Sequence, residues 1–194
     1  VKAYAIASSP PEKPDTPSVT LDKYKLTASI ENISDARTDK IQFQVYNGNS
    51  KFSSGTSQVS TRRASYSCEV KAGGKYRVRC RAVNVYGGSE SYSDWSDYSS
   101  EVATVPASVT DVKCSADSET SVKLTWTPYA TSESYDVEYT TNELYFDRAS
   151  GVSSMSTTKQ TAFVTGLETG QKWFFRVRAN NSAGSSGWSE IVST

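Results

Sequence analysis

Histidine is absent from this chain of 194 residues. With it go the commonest general base, the commonest metal ligand and every Ser-His or Cys-His nucleophile pairing. Most hydrolase mechanisms are excluded on that ground, and the chain is expected not to be an enzyme. Cysteine is scarce: Cys68, Cys80 and Cys114 include no Cys-x-x-Cys and are too few for a stapled scaffold or a structural zinc. Cys68 and Cys80 fall on consecutive expected strands with both side chains inward, which leaves open a bridge or two packed free thiols. Net charge is lacking too, at 21 basic against 21 acidic residues. No long-range field therefore draws the chain to nucleic acid or to an anionic membrane. No run approaches the roughly 18 unbroken apolar residues that span a bilayer, and Val1 to Ile6 lack the charged-then-apolar layout of a secretion signal.

Residues that might carry chemistry are equally sparse in pattern. Asp136 and Glu138 stand two apart on one expected strand, on one outer face, where they are solvated instead of opposed across a cleft. Glu168, Asp15 and Asp22 form no acidic loop of regular spacing that would hold calcium. The glycine-rich stretches Gly166 to Gly170 and Gly184 to Gly187 are turns, since neither links a strand to a helix as a phosphate loop must. No metal and no cofactor is expected.

What the chain does have is a repeat. Tyr76 to Asn84 (YRVRCRAVN) recurs as Trp173 to Asn181 (WFFRVRANN), 97 residues downstream. In both copies alternate positions are apolar, Val78, Cys80 and Ala82 in one and Phe175, Val177 and Ala179 in the other, with arginines between them. That alternation is a half-buried antiparallel strand. Each copy then has a glycine-rich turn and a Trp-Ser step, Trp95-Ser96 and Trp188-Ser189. Two domains of about 100 residues follow, the size of a small β-sandwich with one core each.

Residues 1–16 are expected to be the remnant of a preceding unit, with Val1–Ile6 its last strand, followed by a proline-rich extended connector. The first domain, 17–105, shows strands near Ser18–Leu21, Tyr24–Ile30, Lys40–Tyr46, Phe52–Ser60, Ala64–Val70, Lys75–Val83 and Tyr98–Thr104. Asn47-Gly48 supplies a type I′ hairpin signal between the third and fourth. The second, 106–194, repeats the plan near Ser108–Asp117, Ser121–Thr127, Ser134–Thr140, Leu144–Phe146, Thr161–Leu167, Gln171–Asn180 and Ile191–Ser193, with no helix in either. Val105-Pro106-Ala107 is a short joint, from which a semi-rigid rod is expected.

The stretch from Gly166-Leu167 through Trp173 and Phe175-Arg176-Val177-Arg178-Ala179-Asn180 resembles the fibronectin type III pattern. Trp126 matches that family's buried strand-B tryptophan and Pro106 its opening proline. The resemblance covers nearly the whole chain and implies an all-β fold, two immunoglobulin-like (fibronectin type III) β-sandwiches in tandem. Trp95-Ser96-Asp97-Tyr98-Ser99 resembles the Trp-Ser-x-Trp-Ser box of cytokine receptors, with tyrosine in the second aromatic place. Outward-facing Arg77, Arg79 and Arg81 are expected to layer their guanidinium planes between Trp95 and Tyr98, and Arg176 and Arg178 against Trp188. Such a stack is either an ornament that keeps an edge strand ordered or a partner surface for a protein or a cell-surface glycan. Rich in Ser, Thr and Tyr, the chain is similar to fibronectin repeats in tail-associated minor structural proteins of phages and prophages of gram-positive bacteria. The resemblance implies a non-enzymatic spacer, with adhesion as a further role, in a larger extracellular, cell-surface or virion protein whose neighbouring domains are its first partners. A linker region of a secreted bacterial polysaccharide hydrolase and a receptor-like binding module are the alternatives.

The first copy has Ala28 where its twin has Trp126. Burial of one aromatic contributes on the order of 3 kcal/mol, so Ile30, Phe43, Val45 and Tyr66 must fill that volume. The first domain is therefore expected to melt at the lower temperature in calorimetry of the two domains, and equal melting temperatures would contradict this.

Overall fold

The computed structural model describes residues 9–148 and 150–194, so the strand expected at Val1–Ile6 lies outside the described residues. The chain divides into one unit ending at Ala103 and a second, Thr104–Thr194. In the first, β1 (Ser18–Asp22), β2 (Lys25–Ile30) and β5 (Ala64–Glu69) form one antiparallel sheet in the order β1-β2-β5. The other sheet has β3 (Lys40–Asn47), β4 (Ser50–Gln58), β6 (Lys75–Tyr86) and β7 (Ser89–Tyr92) in the order β4-β3-β6-β7, with β8 (Val102–Ala103) also on β6. Along β6 the apolar positions Tyr76, Val78, Cys80 and Ala82 are buried while Arg77, Arg79 and Arg81 between them stay half-exposed. The buried set meets Leu26 and Ala28 from the facing sheet and Ile41, Phe43 and Val45 from the neighbouring β3 in one core.

Tyr76 is fully buried, and its hydroxyl accepts from the Lys71 N–H at 2.8 Å and donates to the Lys71 carbonyl at 3.2 Å. The volume opposite Ala28 is taken by its cross-strand partner Tyr66, whose ring stacks on Phe43 at 6.2 Å and whose hydroxyl meets Ser53 Oγ at 2.8 Å. That ring lies flat on Gly55: a Cβ there would come within 2.1 Å of it. The three cysteines are free thiols, and burial pushes the Cys80 thiol up to about 11.

The second unit follows the same plan. Its sheets are β9 (Thr110–Ser118), β10 (Ser121–Thr127) and β13 (Thr161–Thr165) in the order β13-β10-β9, and β11 (Ser134–Thr140), β12 (Ser153–Thr157), β14 (Phe174–Asn181) and β15 (Gly184–Ser185) in the order β12-β11-β14-β15. A two-residue strand, β16 (Val192–Ser193), pairs with β14 as β8 does with β6. Trp126 is buried against Tyr135, ring centroids 5.2 Å apart. Trp173, in the place of Tyr76, leans on Tyr139 at 5.9 Å, and its buried indole N–H has no partner among the described residues. An indole can donate but not accept, so the corner bond that Tyr76 makes in both directions has no equivalent.

Four local expectations are corrected. Leu144–Phe146 is not a strand but part of a 3₁₀ helix, Glu143–Asp147, because the Asn142 side chain caps it by accepting the Leu144 N–H at 3.1 Å. The edge strand in that region is instead β12, whose polar sequence SSMST offers only Met155 as an apolar signal. The hairpin turn is Gly48-Asn49, one residue later than expected, because Asn47 remains in the β3 ladder opposite Ser50. Only Gly48 has a positive φ, 56°, so the turn is not type I′.

The fourth correction concerns Tyr98–Thr104, of which only Val102–Ala103 is strand. The segment before it runs along the edge of β6 on serine side chains. Ser93, Ser96 and Ser99 each donate their backbone N–H to the carbonyls of Ala82, Cys80 and Val78, at 3.0, 2.7 and 2.8 Å. The hydroxyls of the same three serines accept from the N–H groups of the same three β6 residues, at 2.9, 3.0 and 2.9 Å. Three residues of the segment thus pass two of β6 at every step. Ser186 and Ser189 repeat the device against Ala179 and Val177.

Two stability predictions follow from these contacts. Gly55→Ala forces the Tyr66 ring off its seat and is expected to lower stability by about 1–3 kcal/mol. Ser96→Ala strands the buried Cys80 N–H and is expected to cost a similar amount, about 1–3 kcal/mol. Urea midpoints of the two variants against the parent chain check both, and an unchanged midpoint refutes the corresponding contact.

Candidate functional site: a ladder of guanidinium and aromatic planes

The three-against-two advance decides where the aromatic side chains go. In a regular strand, residues three apart face opposite sides of the sheet. Here Tyr92, Trp95 and Tyr98, each one residue ahead of a bonded serine, all lie over the arginines of β6. The planes alternate as Tyr92, Arg81, Trp95, Arg79, Tyr98, Arg77. Arg81 Cζ is 4.0 Å from the Tyr92 centroid and 4.6 Å from Trp95. Arg79 is 4.7 Å from Trp95 and 5.4 Å from Tyr98, and Arg77 is 4.3 Å from Tyr98. All five residues expected in this stack are therefore brought together. Each such contact is worth roughly 0.5–1 kcal/mol at an exposed site.

Tyr92 and Tyr46 belong to the ladder although the sequence reading left them out. Tyr46 packs edge-on to Tyr98 at 5.4 Å and takes a hydrogen bond from Arg79 Nη2 at 2.9 Å. The signal for Tyr92 is written in residues 92–100, YSDWSDYSS, which are three successive aromatic-Ser-x triplets. Tyr46 carries no such signal, because it reaches the ladder only through the pairing of β3 with β6.

That pairing also supplies the hydrogen-bond partners of the guanidiniums. Gln44 lies opposite Arg79 and Gln42 opposite Arg81. Gln44 Oε1 accepts from Arg79 Nε and Nη2, at 3.1 and 2.9 Å, and Gln42 Oε1 accepts from Arg81 Nε at 2.7 Å. Arg77 donates to Asn49 Oδ1 at 3.2 Å. Every one of these acceptors is neutral.

The second unit brings together Arg176, Arg178 and Trp188, with the indole between the two guanidiniums at 4.4 and 4.6 Å. Phe146, from the 3₁₀ helix, closes the outer side of Arg176 at 4.5 Å, and Arg176 Nη2 donates to the Phe146 carbonyl at 3.1 Å. The cross-strand partners here are acidic. Glu138 pairs with Arg176 at 2.6 Å and Asp136 with Arg178 at 2.9 Å. The two carboxylates expected to be solvated are thus ion-paired and half-buried. Burial pushes the Asp136 carboxyl up, but hydrogen bonds from Ser156 and Arg178 outweigh it and hold the group below the usual carboxylate range.

Residues 107–194 match the family model of the fibronectin type III domain. No curated protein matches the chain. Among solved structures, a two-domain fibronectin type III segment of chicken tenascin is similar in fold, with TM-score 0.50 and 16% identity over 93% of this chain and 97% of that one. The FN1–FN3 domains of chicken CNTN1 align with TM-score 0.42 and 16% identity, over 96% of this chain and 67% of that one. At such identity the tenascin likeness concerns the fold alone. The match over residues 107–194 and the same strand plan in the first unit make the chain all-β, two fibronectin type III-like sandwiches in tandem.

Proposed function

We propose that the chain is a non-enzymatic structural module of a larger extracellular or virion protein, in which it serves as a spacer. Fibronectin type III domains are generally non-catalytic, occur in extracellular proteins and commonly mediate protein interactions. The observation that carries the reading is how the outer-face side chains are used. The serines hydrogen-bond the free edge of β6 and β14, and the aromatic rings stack on arginines of the same strands. Side chains that hold an edge strand shut favour a part that keeps its shape over one that turns over a substrate. The phage-tail setting and the hydrolase-linker setting share this role and differ only in the domains beside it.

The reading is tested by exchanging the chain, within its full-length protein, for two sequence-unrelated fibronectin type III domains of equal length. A spacer is expected to be replaceable, with the activity of the full-length protein unchanged. A loss of about tenfold or more, in a protein that folds and is secreted or assembled normally, would overturn the spacer reading in favour of specific recognition.

A further inference from the structure

The two ladders occupy matching positions yet differ in one respect. In the second unit each guanidinium faces a carboxylate across the strand pair, Arg176 with Glu138 and Arg178 with Asp136. In the first unit the matching cross-strand positions hold Gln44 and Gln42. Amide and carboxylate fill nearly the same volume and both accept from the guanidinium, so packing does not require the difference. Its consequence is electrostatic: among the described residues, Arg77, Arg79 and Arg81 form no ion pair. The nearby acids are already engaged, Glu90 with Lys40 at 3.0 Å and with the Tyr92 hydroxyl, and Asp97 with Lys13 at 3.3 Å. Asp94, next to Trp95 in the chain, is exposed and is one carboxylate against three guanidiniums.

These cations are also pre-oriented. Aromatic planes fix the guanidiniums, and glutamine holds their Nε edges on Arg79 and Arg81. The Nη1 groups of all three arginines, and Nη2 of Arg81, make no hydrogen bond among the described residues. Side chains already fixed in this way lose little further freedom when they bind. Successive arginines alternate along β6 with a pitch of about 6.8 Å, twice the rise of a strand. A second extended chain presents its own alternate side chains at the same pitch.

We propose that the outer face of the first unit docks an extended acidic segment of a partner protein, whose carboxylates, two residues apart, meet Arg77, Arg79 and Arg81 in step. Carboxylates suit guanidinium donors: Arg81 offers both Nη1 and Nη2 as a bidentate fork, whereas Nη2 of Arg79 is taken by Gln44 and Tyr46 and Nη2 of Arg77 donates to Asn49, so these two offer Nη1. This goes beyond the spacer role, which needs only that the ladder hold itself together. The second unit, neutralised by its own Glu138 and Asp136, does not share the property.

The test uses the whole chain and a fluorescent ten-residue peptide of alternating glutamate and threonine, titrated at low salt by anisotropy. Saturable binding that weakens as salt is raised is expected. The double variant Gln42→Asp, Gln44→Glu copies the second unit's cross-strand pairs and is expected to fold, which its melting curve checks. It is expected to bind at least about tenfold more weakly while melting like the parent chain. A peptide of the same composition with its glutamates in one block is expected to bind several-fold more weakly. Absence of binding, an unchanged affinity in the double variant, or equal binding of the blocked peptide would each overturn the proposal. So would a sulfated oligosaccharide that displaces the peptide with higher affinity, because the face would then be a glycan site. The titration reads the chain alone and the exchange reads the full-length protein: failure of peptide binding with an unchanged exchange sinks only the docking proposal, and peptide binding with a loss on exchange replaces the spacer reading by docking.

Discussion

The mismatch of register between β6 and the serine segment governs the outer face of the first unit. Had residues 93–101 continued as a plain strand, Trp95 and Tyr98 would have pointed to opposite sides, one of them into the core. Because each serine bonds β6 through both its backbone N–H and its hydroxyl, one residue per triplet is absorbed without opening the ladder. The aromatic of every triplet then lands on the same face, where an arginine waits at every second position of β6. The stack is thus a product of two periods, three and two, held in phase by hydroxyls. It also closes an edge that would otherwise offer unpaired backbone groups to another chain.

The two units show how one scaffold is tuned by its cross-strand neighbours. Backbone plan, serine device and guanidinium stack are common to both, and the distinguishing choice lies on β3 and β11. Glutamine at two positions leaves the first ladder cationic. Glutamate and aspartate at the matching positions neutralise the second and draw it shut with ion pairs. Desolvation of charges partly sandwiched between rings costs energy in either case. In the second unit that cost is offset within the domain, and in the first it is met by neutral acceptors alone.

The cores make a similar exchange. Trp126 fills the second unit from β10, whereas the first leaves Ala28 there and brings Tyr66 across from β5, with Gly55 stripped of a side chain to receive the ring. Phe43 at the centre shares that ring's face. The alternation of Tyr76, Val78, Cys80 and Ala82 announced which residues are buried, because one face of a half-buried strand has no other choice. It did not announce Gly55, since a glycine in a polar strand gives no hint of which ring lies over it.

The sequence by itself determined the all-β class, the duplication, the strands with clear period-two patterns and the company of Arg77, Arg79, Arg81, Trp95 and Tyr98. These are local: a burial period or a run of triplets is written within a dozen residues. Leu144–Phe146 escaped it because three apolar residues fit a short strand as well as a capped 3₁₀ turn, and the Asn142 cap decided between them. Only the tertiary structure decided that Tyr46 and Phe146 join the ladders and that Gln42 and Gln44 stand where Asp136 and Glu138 stand. Tyr46, Gln42, Gln44, Asp136 and Glu138 are set by the register between strands distant in sequence, where a one-residue slip would have put each on the other face, and Phe146 is brought in by the 3₁₀ helix.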